Sequence, residues 1–93
     1  MGKLVRDKVT DPQGRIRVLT DMEFKEEVYK KLKEEVNELC EKRDSDKLSE
    51  VLEVIKMLYY VDPNAYDDVF GIAVRKRKEL GSFYGKKYLE EVI

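Results

Sequence analysis

Between residues 20 and 42 the apolar positions Phe24, Val28, Leu32, Val36 and Leu39 recur every three or four residues, the period of one helix face. Thr20 followed by Glu23 is a capping-box pattern, so the spacing predicts a helix from about 20 to 42. Asp44-Ser45 can cap a second helix over about 46–60. That helix is apolar on two sides: Leu48, Val51, Leu52, Ile55, Leu58 and Tyr59 form a broad stripe, and Val54, Met57 and Val61 form another. A helix apolar on both sides is expected to be sandwiched between neighbours. Asp62-Pro63 offers an N-cap and a favoured first-turn proline for a third helix reaching Leu80, with Gly81 just beyond its end. Residues 3–19 lack helical periodicity. There DPQG (11–14) reads as a turn and Ile16 and Val18 alternate with arginines, which predicts extended segments at 3–9 and 15–19, as a small hairpin or as arms lying on the helices. GSFYGKKYLEEVI is expected to be a looser tail with at most one helical turn.

The pattern therefore predicts an all-α fold: one domain over 1–93 with a short extended N-terminal segment. Three short helices make a thin core for a monomer. A homodimer or a dimer of dimers that completes a helical bundle is the expected assembly.

One residue violates the pattern. At 100° per residue Glu35 projects only about 20° from Val28, inside the apolar stripe, and Glu38 lies one turn further on the shoulder of that face. Glu50 repeats the anomaly, heading the stripe of Val54, Met57 and Val61, with Glu53 one turn on. Two consecutive antiparallel helices would then each direct two carboxylates toward a shared interface. Clustered anions oppose one another's ionisation and are costly to desolvate. A hard cation held by oxygen ligands from facing helices relieves both costs. The bland alternative is that these glutamates snorkel from the boundary or pair with Lys30, Lys31 or Lys47.

Composition narrows the chemistry. The 93 residues contain 19 Lys+Arg, 20 Asp+Glu and no His. Histidine-dependent triads and His-rich zinc sites are excluded within one chain. The near-zero net charge of −1 argues against nucleic-acid polymers as partners. No apolar run is long enough for a bilayer, and MGKLVRDKV is too polar for a signal peptide. The single Cys40 offers no disulfide framework, so a reduced, cytoplasmic protein is expected.

Three segments also carry a resemblance. KLVRDKV (3–9), KLKEEVNEL (31–39) and LSEVLEVIKML (48–58) are similar to the opening segment and the EExxE and ExxD helices of the all-α nucleoside triphosphate pyrophosphohydrolases, the MazG-like and phosphoribosyl-ATP pyrophosphohydrolase-like group. LGSFYGKKYLEEV (80–92) is a weaker echo of its RGGF segment. The resemblance implies Mg²⁺, with Mn²⁺ as the alternative, held by Glu35, Glu38, Glu50 and Glu53. It implies Glu35 and Glu38 as catalytic residues and cleavage of a nucleotide between its α- and β-phosphates. It also raises Arg6 and Lys8 as phosphate contacts, together with Lys76 and Lys78 from the basic run RKRKEL (75–80). Cations at a helix C-terminus equally suit the helix dipole.

The chain departs from that pattern at Lys47, where the group has a glutamate, and at Leu80, where it tends to have arginine. An ammonium cannot ligate Mg²⁺. Lys47 implies fewer metal ions, a ligand set shifted to Glu53, a lysine that contacts phosphate, or lost catalysis. A non-catalytic helical relative that binds nucleotide or a protein partner is thus the alternative to a hydrolase.

Overall fold

The computed structural model describes residues 2–90. Three helices make up its regular structure, α1 (Asp21–Lys42), α2 (Ser45–Val61) and α3 (Val69–Leu80), and no strand occurs among the described residues. The chain is all-α.

Local chemistry sets the ends of α1. Thr20 accepts from the Glu23 N–H, and the Glu23 carboxylate accepts from the Thr20 N–H, so two otherwise unpaired donors are satisfied at once. Glu23 also takes the Arg17 guanidinium at 2.9 Å. Arg17 and the two capping bonds hold the Glu23 carboxyl down at about 2. At the other end Arg43 adopts the left-handed conformation (φ 53°), and its Nε donates to the Cys40 carbonyl. Asp44 then caps α2 by accepting from the Lys47 N–H. Only Arg43 and Asp44 separate the two helices, so α1 and α2 pack as an antiparallel hairpin. Its small core contains Val28, Val51 and Val54, with Val28 only 1% exposed.

The predicted α2 sandwich is half realised. Val51 and Val54 are buried against α1, but Leu48, Leu52, Ile55 and Tyr59 lie exposed. At 100° per residue those four side chains centre roughly 130° around α2 from Val54, out of reach of α1. Val36 is exposed on the corresponding flank of α1.

Two other expectations are corrected. Residues 3–9 and 15–19 do not form a hairpin of paired strands. DPQG is the expected turn, with Gly14 at φ 66° and its N–H bonded to the Asp11 carbonyl, and Asp11 is further tied to Gln13 and Arg15. The segment is instead the alternative arm, tied to the helices by Arg6 on Glu50 and Arg17 on Glu23. The third helix starts at Val69 and not at Pro63, because Asp62 is spent elsewhere. Its N–H closes α2 on the Leu58 carbonyl. Its carboxylate takes the Lys25 ammonium at 2.5 Å and accepts from the Tyr29 hydroxyl at 2.5 Å. The Tyr29 hydroxyl also bonds that of Tyr66, whose ring meets Tyr59 edge-on. These groups draw residues 62–66 back against α1. Lys25 and Tyr29 push the Asp62 carboxyl below its usual range, and Asp62 pushes the Tyr29 hydroxyl well above its own.

Asp68, also left-handed at φ 53°, then turns the chain outward into α3. Among the described residues α3 packs on neither α1 nor α2. Its Phe70 is 80% exposed. The radius of gyration, 17.5 Å, exceeds the roughly 12 Å of a compact chain of this length. Gly81 ends α3 as expected, at φ 81° with its N–H bonded to the Arg77 carbonyl. The tail through residue 90 holds one turn, Lys86 N–H to the Phe83 carbonyl, and no helix. The expectation for residues 91–93 lies outside the described residues.

Candidate functional site

The anomaly seen in the sequence is real in three dimensions. Glu35 is 5% exposed and is the one charged side chain buried in the hairpin among the described residues. Its Oε1 meets the Lys31 ammonium at 3.3 Å, one turn back on α1. Its Oε2 is buried and has no hydrogen-bond partner, alone in this respect among the described side-chain atoms. A buried carboxylate oxygen with nothing to bind is a standing cost, since such groups in folded proteins nearly always find a partner.

Helical spacing puts the other three carboxylates on the same flank. Measured from the line of contact, Glu38 on α1 and Glu50 and Glu53 on α2 rotate in the same sense. In an antiparallel pair that sense leads to one side. The leucine stripe of α2 rotates in the opposite sense, so the hairpin has a charged flank and an apolar flank.

Cations occupy the charged flank. Lys47 Nζ donates to Glu38 at 3.1 Å, its side chain 18% exposed. The Lys47 bond and charge pull the Glu38 carboxyl down, with Lys42 adding to the effect, while Glu38 and then Glu35 and Asp46 push the Lys47 ammonium up. From the N-terminal arm, Arg6 reaches 44 residues along the chain to donate to Glu50 at 3.0 Å. Its guanidinium is raised by that bond first and then by the charges of Glu50, Glu53 and Glu35. Glu53 is exposed beside this pair.

Arg6 with Glu50, Lys47 with Glu38 and Lys31 with Glu35 are thus paired on this flank, with Glu53 exposed near the first pair. Lys8 is exposed on the arm, and Lys76 and Lys78 are exposed on α3, away from the hairpin. Among the described residues no three acidic side chains stand grouped closely enough to hold a metal ion. The donors still suit a hard divalent ion in kind, all being carboxylate oxygens, and Glu35 Oε2 has no hydrogen-bond partner to give up.

Sequence reasoning weighed Lys30, Lys31 and Lys47 as carboxylate partners; Lys31 serves for Glu35 and Lys47 for Glu38, while Lys30 pairs with Glu27 instead. It missed the Arg6–Glu50 pair and the cluster of Lys25, Tyr29, Asp62 and Tyr66. Neither leaves a local signal, because their members lie 33 to 44 residues apart. No family model, curated protein or solved structure matches the chain.

Proposed function

We propose that the charged flank of the α1–α2 hairpin is the site of a divalent-cation-dependent nucleotide pyrophosphohydrolase. The substrate is a nucleoside triphosphate or a phosphoribosyl nucleotide, cleaved to the monophosphate and pyrophosphate. The observation that carries this reading is the buried, unpartnered Oε2 of Glu35, on the flank where helical spacing also puts Glu38, Glu50 and Glu53. The resemblance of residues 3–9, 31–39 and 48–58 to the MazG-like and phosphoribosyl-ATP pyrophosphohydrolase-like group supports it. Glu35, Glu38, Glu50 and Glu53 would hold Mg²⁺ or Mn²⁺, which when bound offsets phosphate charge and acidifies water. Glu35 and Glu38, on α1, would be the catalytic residues, orienting the attacking water. Lys47 and Arg6, already at the flank, are the cations nearest to a bound phosphate chain. Lys8 would reach it by movement of the arm, and Lys76 and Lys78 by movement of α3 or from a second copy.

A second reading has an observation of its own. Lys47 on Glu38 and Arg6 on Glu50 already neutralise two of the four carboxylates, which suits a non-catalytic relative that binds nucleotide or a protein partner. Screening nucleotides for pyrophosphate release with and without Mg²⁺, for the wild type and Glu35→Gln, separates the two. A hydrolase shows metal-dependent release that Glu35→Gln abolishes. A binding protein shows none in either.

The protein would act as a homodimer or a dimer of dimers. Leu48, Leu52, Ile55 and Tyr59 form an uncovered stripe at helical spacing, and Phe70 on the outlying α3 is uncovered too. Light scattering at micromolar concentration that gave the 11.0 kDa mass of one chain would overturn this part. No helix among the described residues is long and apolar enough to cross a membrane.

A further inference from the structure

The three cations of the charged flank are not equivalent. Lys31 binds Glu35 from one turn away on the same helix, through the oxygen opposite the unpartnered one. It can stay in place whatever Oε2 binds, and it fixes the Glu35 rotamer. Lys47 and Arg6 instead hold single oxygens of Glu38 and Glu50, carboxylates that a divalent ion at Glu35 would also recruit. Both can let go. Lys47 carries its ammonium on a four-carbon stem, and Arg6 lies on an arm without regular secondary structure.

We infer that Lys47 and Arg6 are exchange cations. They hold Glu38 and Glu50 while the flank is free of metal, and they pass to the phosphates of a ligand once a divalent cation takes those carboxylates. The inference rests on the cation-site reading above and adds an order of binding to it.

Charge and burial both argue for the exchange. Four carboxylates with Lys31, Lys47 and Arg6 leave the flank with one net negative charge, which repels a phosphate chain. A divalent cation turns that into one net positive charge, which attracts it. The Lys47 side chain is mostly buried, so its ammonium cannot recover full hydration when Glu38 is taken away. A phosphate oxygen is the anion that restores its partner. A guanidinium freed from Glu50 is equally suited, since its planar fork matches phosphate.

The test uses the full chain and two ligands, Mn²⁺ alone and the non-hydrolysable pyrophosphate analogue imidodiphosphate. Free Mn²⁺ is followed by electron paramagnetic resonance, and imidodiphosphate binding to the Mn²⁺-saturated protein by calorimetry. Lys47→Met keeps the stem against the interface and removes the charge. It should bind Mn²⁺ several-fold more tightly than the wild type, because a competitor for Glu38 is gone. The same variant, loaded with Mn²⁺, should bind imidodiphosphate about tenfold more weakly, the size of one lost charge-assisted contact. Arg6→Met should shift both affinities in the same directions by less, since Arg6 is more exposed. Tighter Mn²⁺ binding with unchanged imidodiphosphate binding would overturn the exchange and leave Lys47 as a blocking group. Unchanged Mn²⁺ affinity would place Lys47 outside the site and overturn it too. If neither wild type nor variant takes up Mn²⁺ at millimolar concentration, the cation-site reading itself fails and the exchange falls with it.

Discussion

The two flanks of the α1–α2 hairpin invert the usual relation between polarity and solvent. On one flank a carboxylate is buried to 5% exposure; on the other Leu52 of α2 stands 55% exposed. The same two helices and the same turn produce both, so neither departure comes from a badly formed element. Each flank has a deficit of its own kind. The charged one has an oxygen without a partner, and the apolar one has side chains without a neighbour. A fold this small tolerates both because its stability comes from the narrow seam between them, around Val28, Val51 and Val54.

The sharpest way to break the comparison is to neutralise the charged flank. If the flank is catalytic, Glu35→Gln should lower metal-dependent pyrophosphate release by at least about 100-fold, measured with saturating Mg²⁺. The apolar flank should respond differently. Leu52→Glu puts a charge in the middle of the exposed stripe while leaving Val51 and Val54 against α1. It should reduce a dimeric mass to that of one chain in light scattering, with helical circular dichroism retained. Either variant affecting the other's readout as strongly as its own would show that the flanks are not independent.

Smaller effects locate the seam. Val28→Ala removes two methyl groups from the best buried side chain and should cost about 2 kcal/mol in urea unfolding. Glu35→Gln should go the other way without metal, raising stability by roughly 1 kcal/mol, since an amide is cheaper to bury than an underpaired carboxylate. That sign distinguishes a residue kept for binding from one kept for packing.

The smallest effect belongs to neither flank. Glu23, at the start of α1, is held near 2 by Arg17 and its capping bonds, below the ordinary carboxylate value of 4.5. Its folded-state value is depressed, so its contribution to stability is complete above about pH 4.5 and is lost as pH falls toward 2. Arg17→Met should raise the Glu23 titration, read from its carboxyl carbon by NMR, and make acid unfolding begin at slightly higher pH. The Arg6 and Lys47 pairs should be unaffected.

What could be read from the sequence follows the range of the interactions involved. The Thr20–Glu23 box, the Gly81 terminus of α3 and the inward aim of Glu35 are set within one or two turns, and all three were legible. The start of α3 was misread because Asp62-Pro63 looks like a helix opening to its neighbours in sequence. Lys25 and Tyr29, more than thirty residues earlier, claim the aspartate first. The cation on Glu50 was hidden for the same reason, Arg6 being 44 residues away. The second stripe of α2 was legible as apolar. Whether it is covered depends on surfaces that one chain's sequence pattern does not place.

The cluster of Lys25, Tyr29, Asp62 and Tyr66 also acts as a fulcrum. It clamps the chain to α1 as far as Tyr66, and α3 begins three residues later, beyond the left-handed Asp68. Twelve residues of helix make a lever of about 18 Å. A 20° turn about Asp68 therefore carries Arg75–Lys78 through roughly 4 to 5 Å while the clamped end stays still. The dihedral angles of Asp67 and Asp68, rather than any contact along α3, decide where the basic end of the molecule stands relative to the charged flank.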